Sequence, residues 1–87
     1  MKISDEQKKK YIARRENDVK ECLEALSKKD NQVLQRVGHQ LRGNALTFGF
    51  APLGEIGERL ESASVELNWQ KMEEAVQQIQ TYLAKLA

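Results

Sequence analysis

Residues 30–53 read DNQVLQRVGHQLRGNALTFGFAPL. Within this stretch Leu34, Val37, Leu41, Ala45 and Phe48 recur at spacings of three and four, the period of a single helix face. Asp30 stands just ahead of the stripe, where its carboxylate can accept from the exposed N–H groups of a first helical turn. Gly49-Phe50-Ala51-Pro52 then ends the pattern. Proline is tolerated in the first turn of a helix but not in its interior, so Pro52 opens the next one. The stretch therefore predicts a helix over 31–48, a break, and a second helix beginning at 52.

The same logic extends in both directions. Downstream, Leu53, Ile56, Leu60, Ala63 and Leu67 form a stripe for a helix over 52–66. Asn68 can cap a helix over 69–86 whose stripe is Trp69, Met72, Val76, Ile79, Leu83 and Leu86. Upstream, Ser4 and Gln7 have the spacing of a capping box, and Ile12, Val19, Leu23 and Leu26 supply the stripe of a helix over 5–28. Four amphipathic helices with short connections predict an all-α fold, an antiparallel up-down four-helix bundle, with residues 1–87 forming a single domain.

Bulk properties restrict the function without naming it. A chain of 87 residues has room for one modest core, burying roughly 60% of the surface its unfolded state exposes. The net charge of +1 gives no global argument for nucleic acid or an anionic membrane. Charge is unevenly spread: residues 1–43 carry eleven Lys and Arg against seven Asp and Glu, whereas residues 44–87 carry three against six. Lys8-Lys9-Lys10 and Arg14-Arg15 read as a solvated helix face, since only Tyr11 among them could stack on a base. Cys22 is the one cysteine and lacks metal-ligand spacing around it; it reads as a small packed residue. No apolar run suits a membrane span, and the N-terminus lacks the apolar stretch of a secretory signal. The expectation is a cytoplasmic protein.

The only histidine is the informative residue. At about 100° per residue, His39 lies about 160° from the centre of the apolar stripe of its helix. That direction makes it a surface side chain, and its neighbours give the surface a chemical character. Arg36 and Arg42 flank it, Leu46 lies at the lower edge of its face, and Gly43 follows one turn after it. Guanidinium groups offer several hydrogen bonds to phosphate oxygens. Gly43 costs a helix about 1 kcal/mol relative to alanine, and it points away from the core. A missing side chain there leaves room for whatever approaches the imidazole. Gly38, nearer the core side, reads as a packing glycine.

The run His39-Gln40-Leu41-Arg42-Gly43-Asn44-Ala45-Leu46-Thr47-Phe48-Gly49-Phe50-Ala51-Pro52-Leu53, continuing to Leu60-Glu61, closely resembles the signature of histidine-containing phosphotransfer (HPt) domains. Upstream, Tyr11-Ile12, Arg15, Asp18-Val19, Leu23, Ala25-Leu26 and Asp30 are similar to the same family. Arg42 stands where lysine is commonest, keeping the charge, and Asn44 stands where a small residue is usual.

This resemblance implies a helical bundle that accepts a phosphoryl group on His39 from the aspartyl phosphate of a receiver domain and passes it to a response regulator. Arg42, Gly43, Arg36 and Leu46 would support the phosphate or the partner. The implied partners are receiver domains or a hybrid histidine kinase, with the receiver supplying Mg²⁺. Neutral imidazole is a nucleophile near physiological pH and needs no dedicated base. The chain has no phosphate-binding glycine loop, so a phosphotransfer protein is expected rather than an autonomous ATP-dependent kinase. No cofactor, metal site, nucleic-acid partner or membrane partner is expected, and the state is expected to be monomeric. The alternative is a non-catalytic adaptor that keeps the bundle and binds a receiver or partner helix without transfer.

Overall fold

A computed structural model describes residues 3–86 and contains four helices: α1 (Asp5–Lys28), α2 (Asn31–Asn44), α3 (Ala51–Val65) and α4 (Trp69–Leu86). Each packs against its neighbours in chain order, and α4 closes back on α1. Cross-helix contacts run antiparallel between α1 and α2 and between α2 and α3. Tyr11 meets Asn44 while Glu21 meets Arg36 across α1 and α2. Asn31 meets Ser64 while Ala45 lies against Gly54 across α2 and α3. The result is an all-helical bundle measuring 37 × 19 × 18 Å.

The helix ends follow from local chemistry. At the start of α1, the Gln7 N–H donates to Ser4 Oγ (3.1 Å) and the Ser4 N–H donates to Gln7 Oε1 (2.9 Å), a complete capping box. Lys29 ends α1 in the left-handed region at φ 58°, and Asp30 N–H returns to the Ala25 carbonyl at 2.8 Å. Asp30 occupies the capping position of α2 with extended backbone, but its side chain makes no capping bond there. The expected carboxylate cap is thus absent; instead Asn31 Nδ2 donates to the Ser64 carbonyl and ties the start of α2 to the end of α3. Asn68 does cap α4, accepting the Lys71 N–H on Oδ1 at 3.1 Å.

The second helix is shorter than its apolar spacing implies. Regular α-helix ends at Asn44, and residues 45–49 form hydrogen-bonded turns that close at Gly49, where φ is +89°. The Gly49 N–H donates to the Leu46 carbonyl and the Phe50 N–H to the Ala45 carbonyl. Ala45 is nevertheless buried and Phe48 packs against the core. Side-chain spacing therefore outlasts the regular hydrogen-bond ladder. Helix α3 begins one residue ahead of Pro52, placing the proline in the first turn where its missing N–H costs little.

The core is built from Val19, Cys22 and Ala25 of α1, Leu34, Val37 and Leu41 of α2, Leu53, Ile56, Leu60 and Ala63 of α3, and Met72, Ala75, Val76, Ile79 and Leu83 of α4. Three expectations are corrected. The inward face of α1 is Tyr11, Arg15, Val19, Cys22 and Ala25; Leu23 is exposed, and Ile12 and Leu26 are only partly buried. Leu67 is exposed because the chain leaves α3 and turns at φ 57° there. Leu86 is exposed at the end of α4.

Two inward positions of α1 have polar tips that find partners. Tyr11 stacks on Phe48 and Phe50 at centroid distances of 4.3 and 5.7 Å, and its hydroxyl donates to Asn44 Oδ1 at 2.6 Å. Arg15 lies over the Tyr11 ring and donates to the same oxygen at 3.4 Å. Its Nε sits 2.8 Å from Asp18 Oδ2, an ion-pair distance without hydrogen-bond alignment. Burial pushes the Asp18 carboxyl above its usual range, and the Arg15 charge partly offsets that rise. Asn44, larger than the residue usual at its position, thus joins the end of α2 to α1.

Cys22 is fully buried, and burial pushes its thiol up to about 12, with Asp18 and Glu21 adding to the rise. A thiol both enclosed and protonated is unreactive. A thiol-specific reagent at neutral pH should therefore label Cys22 only after denaturant unfolds the protein. Rapid stoichiometric labelling of the native protein would contradict the packing of α1.

Candidate functional site

The site forms where α2 and α3 approach most closely. A methyl group at Gly38 would lie 2.6 Å from the Glu61 backbone nitrogen, and one at Gly57 would lie 2.8 Å from the Arg42 nitrogen and 2.5 Å from Leu41 Cβ. Such distances leave no room for a side chain on either glycine. The two backbones can therefore sit close enough for a side chain of α3 to serve groups on the exposed face of α2.

That side chain is Glu61. His39 projects from α2 with 67% of its side chain exposed, and its Nδ1 lies 2.7 Å from Glu61 Oε2. Arg42, one turn further along α2 and 55% exposed, donates from Nη1 to Glu61 Oε1 at 2.9 Å. The carboxylate between them is only 15% exposed. A carboxylate accepts and cannot donate, so a neutral imidazole in this contact carries its proton on Nδ1. Nε2 is then left with an available lone pair.

The remaining expected residues are distributed around this centre. A Cβ built on Gly43 would meet nothing within 4 Å, so the space one turn beyond His39 is open. Leu46 is 72% exposed and sits in the turn after α2. Arg36 is not brought to the imidazole: its Nη2 donates to Glu21 Oε2 on α1 at 2.8 Å. Sequence reasoning gave Glu61 no place in the site. Its only signal was position, directly after Leu60 in the late part of the HPt-like pattern.

A family model described as the Hpt domain matches residues 9–87. The chain belongs to the Hpt domain family. The match covers all of α2 and α3, including His39, Arg42, Gly43 and Glu61. No curated protein and no solved structure gave a match. Membership assigns this Hpt domain a phosphotransfer-related role in two-component signalling, in which such domains interact with receiver domains and kinases. No described helix is long and apolar enough to cross a membrane. Among the described residues, no three His, Cys, Asp or Glu side chains cluster as a metal site would require.

The glycines of α2 should respond in opposite directions to the same substitution. Gly38→Ala forces a methyl group against the α3 backbone and should destabilise the fold by about 1–3 kcal/mol, the usual range for overpacking. Gly43→Ala adds a methyl group in open space on regular helix and should stabilise it by up to about 1 kcal/mol. Denaturant unfolding of both variants checks the pair, and equal effects would contradict the close contact.

Proposed function

We propose that His39 accepts a phosphoryl group on Nε2 from the aspartyl phosphate of a receiver domain and passes it to a response regulator. The observation that carries this reading is the His39 Nδ1–Glu61 contact at 2.7 Å on an otherwise exposed imidazole. It directs the ring's proton inward and its lone pair outward, as nucleophilic attack requires. The Nε2 lone pair attacks phosphorus as the P–O bond to the receiver's aspartate breaks, and the bonding electrons leave with the carboxylate. The ring becomes a phosphoimidazolium that keeps its Nδ1–H, and Glu61 faces the new positive charge. Reversal of these steps delivers the group to the next aspartate and returns a neutral ring. No proton has to move in either direction.

Transfer of this kind depends chiefly on alignment and charge stabilisation. On this reading Gly43 leaves the space that the phosphoryl group and receiver occupy. Leu46 offers an apolar docking contact, and Arg36, paired with Glu21 on α1, takes no part in holding the phosphoryl group. The donor and acceptor are receiver domains or a hybrid histidine kinase. The chain acts as a monomeric cytoplasmic phosphoprotein.

Incubating the chain with a phosphorylated receiver should place acid-labile, alkali-stable phosphate on it. His39→Gln should abolish that label while shifting stability by no more than about 0.5 kcal/mol, because the side chain is exposed. Undiminished label on the variant would reject His39 as the acceptor, and absence of label on the wild type with every receiver of a panel would favour a non-catalytic adaptor.

Gly43→Gln separates access from folding. Glutamine is a good helix former, so the melting temperature should hold or rise. Its side chain would fill the open space beyond His39, so single-turnover transfer should slow strongly, with Gly43→Ala intermediate. Undiminished transfer by a stable glutamine variant would refute the access role.

A further inference from the structure

We propose that the cleft between α1 and the end of α2 binds a small phosphomonoester through Lys10, Arg14, Arg15 and Asn44. This site lies on the α1 side of α2, whereas His39 and Arg42 meet Glu61 on the α3 side. The proposal does not rest on the phosphotransfer reading.

Spacings of three and four bring Lys10, Tyr11, Arg14 and Arg15 to one side of α1. With Asn44 and Phe48 they line a cleft of about 330 Å³ that contains three cationic side chains and no carboxylate. Its volume lies at the low end of the roughly 300–1,000 Å³ of small-molecule sites. The nearest acids stand outside the lining. Glu6 is 3.7 Å from Lys10 in an exposed pair, a kind of contact that holds its partners weakly. Asp18 lies 2.8 Å from Arg15 Nε and offsets part of that charge. Arg14 is exposed and pairs with none of the described carboxylates.

Two groups in the cleft are short of acceptors. Arg15 is only 8% exposed, yet its one hydrogen bond is the long contact from Nη1 to Asn44 Oδ1 at 3.4 Å, and its Nε has none. A buried guanidinium with five donors ordinarily finds more partners than that. Asn44 is the second group. Its Oδ1 accepts from the Tyr11 hydroxyl at 2.6 Å and from Arg15, so the amide oxygen is held toward α1. Nδ2, with two N–H donors, bonds to no described residue. Asn44 stands where a small residue is usual, so this amide is a feature of the chain and not of the fold.

Unused donors beside three cations call for an anion with several oxygens. Guanidinium forks match phosphate geometry, and a phosphomonoester presents three oxygens to the donors around it. A carboxylate has two, and would leave more of them unpaired. Phe48, half-buried and stacked on Tyr11 at 4.3 Å, gives the cleft an apolar wall. The organic part of an ester covers that wall, and inorganic phosphate does not.

The test is a titration of the ¹⁵N-labelled chain with phenyl phosphate and, separately, with inorganic phosphate at equal ionic strength. Phenyl phosphate should shift the Asn44 side-chain amide and the backbone N–H groups of residues 10–15 saturably, and should bind more tightly than inorganic phosphate. The double variant Lys10→Gln with Arg14→Gln changes exposed side chains only. It should keep its melting temperature and bind phenyl phosphate more weakly by about tenfold or more, as loss of charge-assisted hydrogen bonds requires. Absence of saturable shifts at these positions, or undiminished affinity in the double variant, would overturn the site. Shifts confined to the neighbourhood of His39 and Arg42 would do the same, placing the anion on the other side of α2. Equal affinity for both probes would overturn the organic ligand. Vesicles containing phosphatidic acid should not sediment the chain; sedimentation lost in the double variant would make the ligand a lipid headgroup and overturn the soluble one.

Discussion

Between Gly38 and Gly57 the backbones of α2 and α3 come so near that neither residue has space for a Cβ. Small residues cost helix stability, since glycine is the poorest helix former after proline. The return is an interhelical distance no larger side chain would permit. At that distance the buried stripes of α2 and α3 interlock through Leu34, Val37, Leu41, Leu53 and Leu60. Glu61, on the rim of the contact, reaches across to the exposed face of α2. The chemistry on the surface therefore depends on packing one layer beneath it. Widening that contact would move the helix that carries Glu61 away from both His39 and Arg42.

The rest of the bundle supports this pair of helices. α1 reaches the end of α2 through the Tyr11–Asn44 hydrogen bond and through stacking of Tyr11 on Phe48 and Phe50. These contacts brace the turn after α2, where regular helix has ended but core packing continues. Farther along, the Arg36–Glu21 pair links the outer faces of α1 and α2. Arg15 and Asp18, both largely buried, face each other at ion-pair distance without an aligned hydrogen bond, so only the attraction of opposite charges offsets their burial there. α4 contributes mostly apolar surface, from Met72 to Leu83.

Where apolar residues alone define the buried face, the sequence was readable. The stripes from Leu34 to Leu41, from Leu53 to Ala63 and from Met72 to Leu83 all face inward, and the outward direction of His39 follows from the first of them. α1 was misread because Tyr11 and Arg15 occupy inside positions. Their polar tips hide their role from a count of apolar residues, although both can bury long carbon or ring surfaces. The end of α2 was overextended because spacing records burial, and burial persists through Ala45 and Phe48 after the hydrogen-bond ladder changes. Glu61 was missed for a different reason. Periodicity gives the face of each helix but not the register between two helices, and that register is what brings residue 61 opposite residues 39 and 42.

Gly38 and Gly43 also differ in what evolution would do with them. One has backbone against the place where a side chain would begin, and the other has open space. A lineage that kept the bundle but ceased to carry phosphate would still be held to glycine at position 38 by folding. At position 43 nothing in the fold would oppose alanine or a longer helix former, and drift there would strengthen the helix. The first visible trace of lost function would then be a gain in stability beside an untouched histidine.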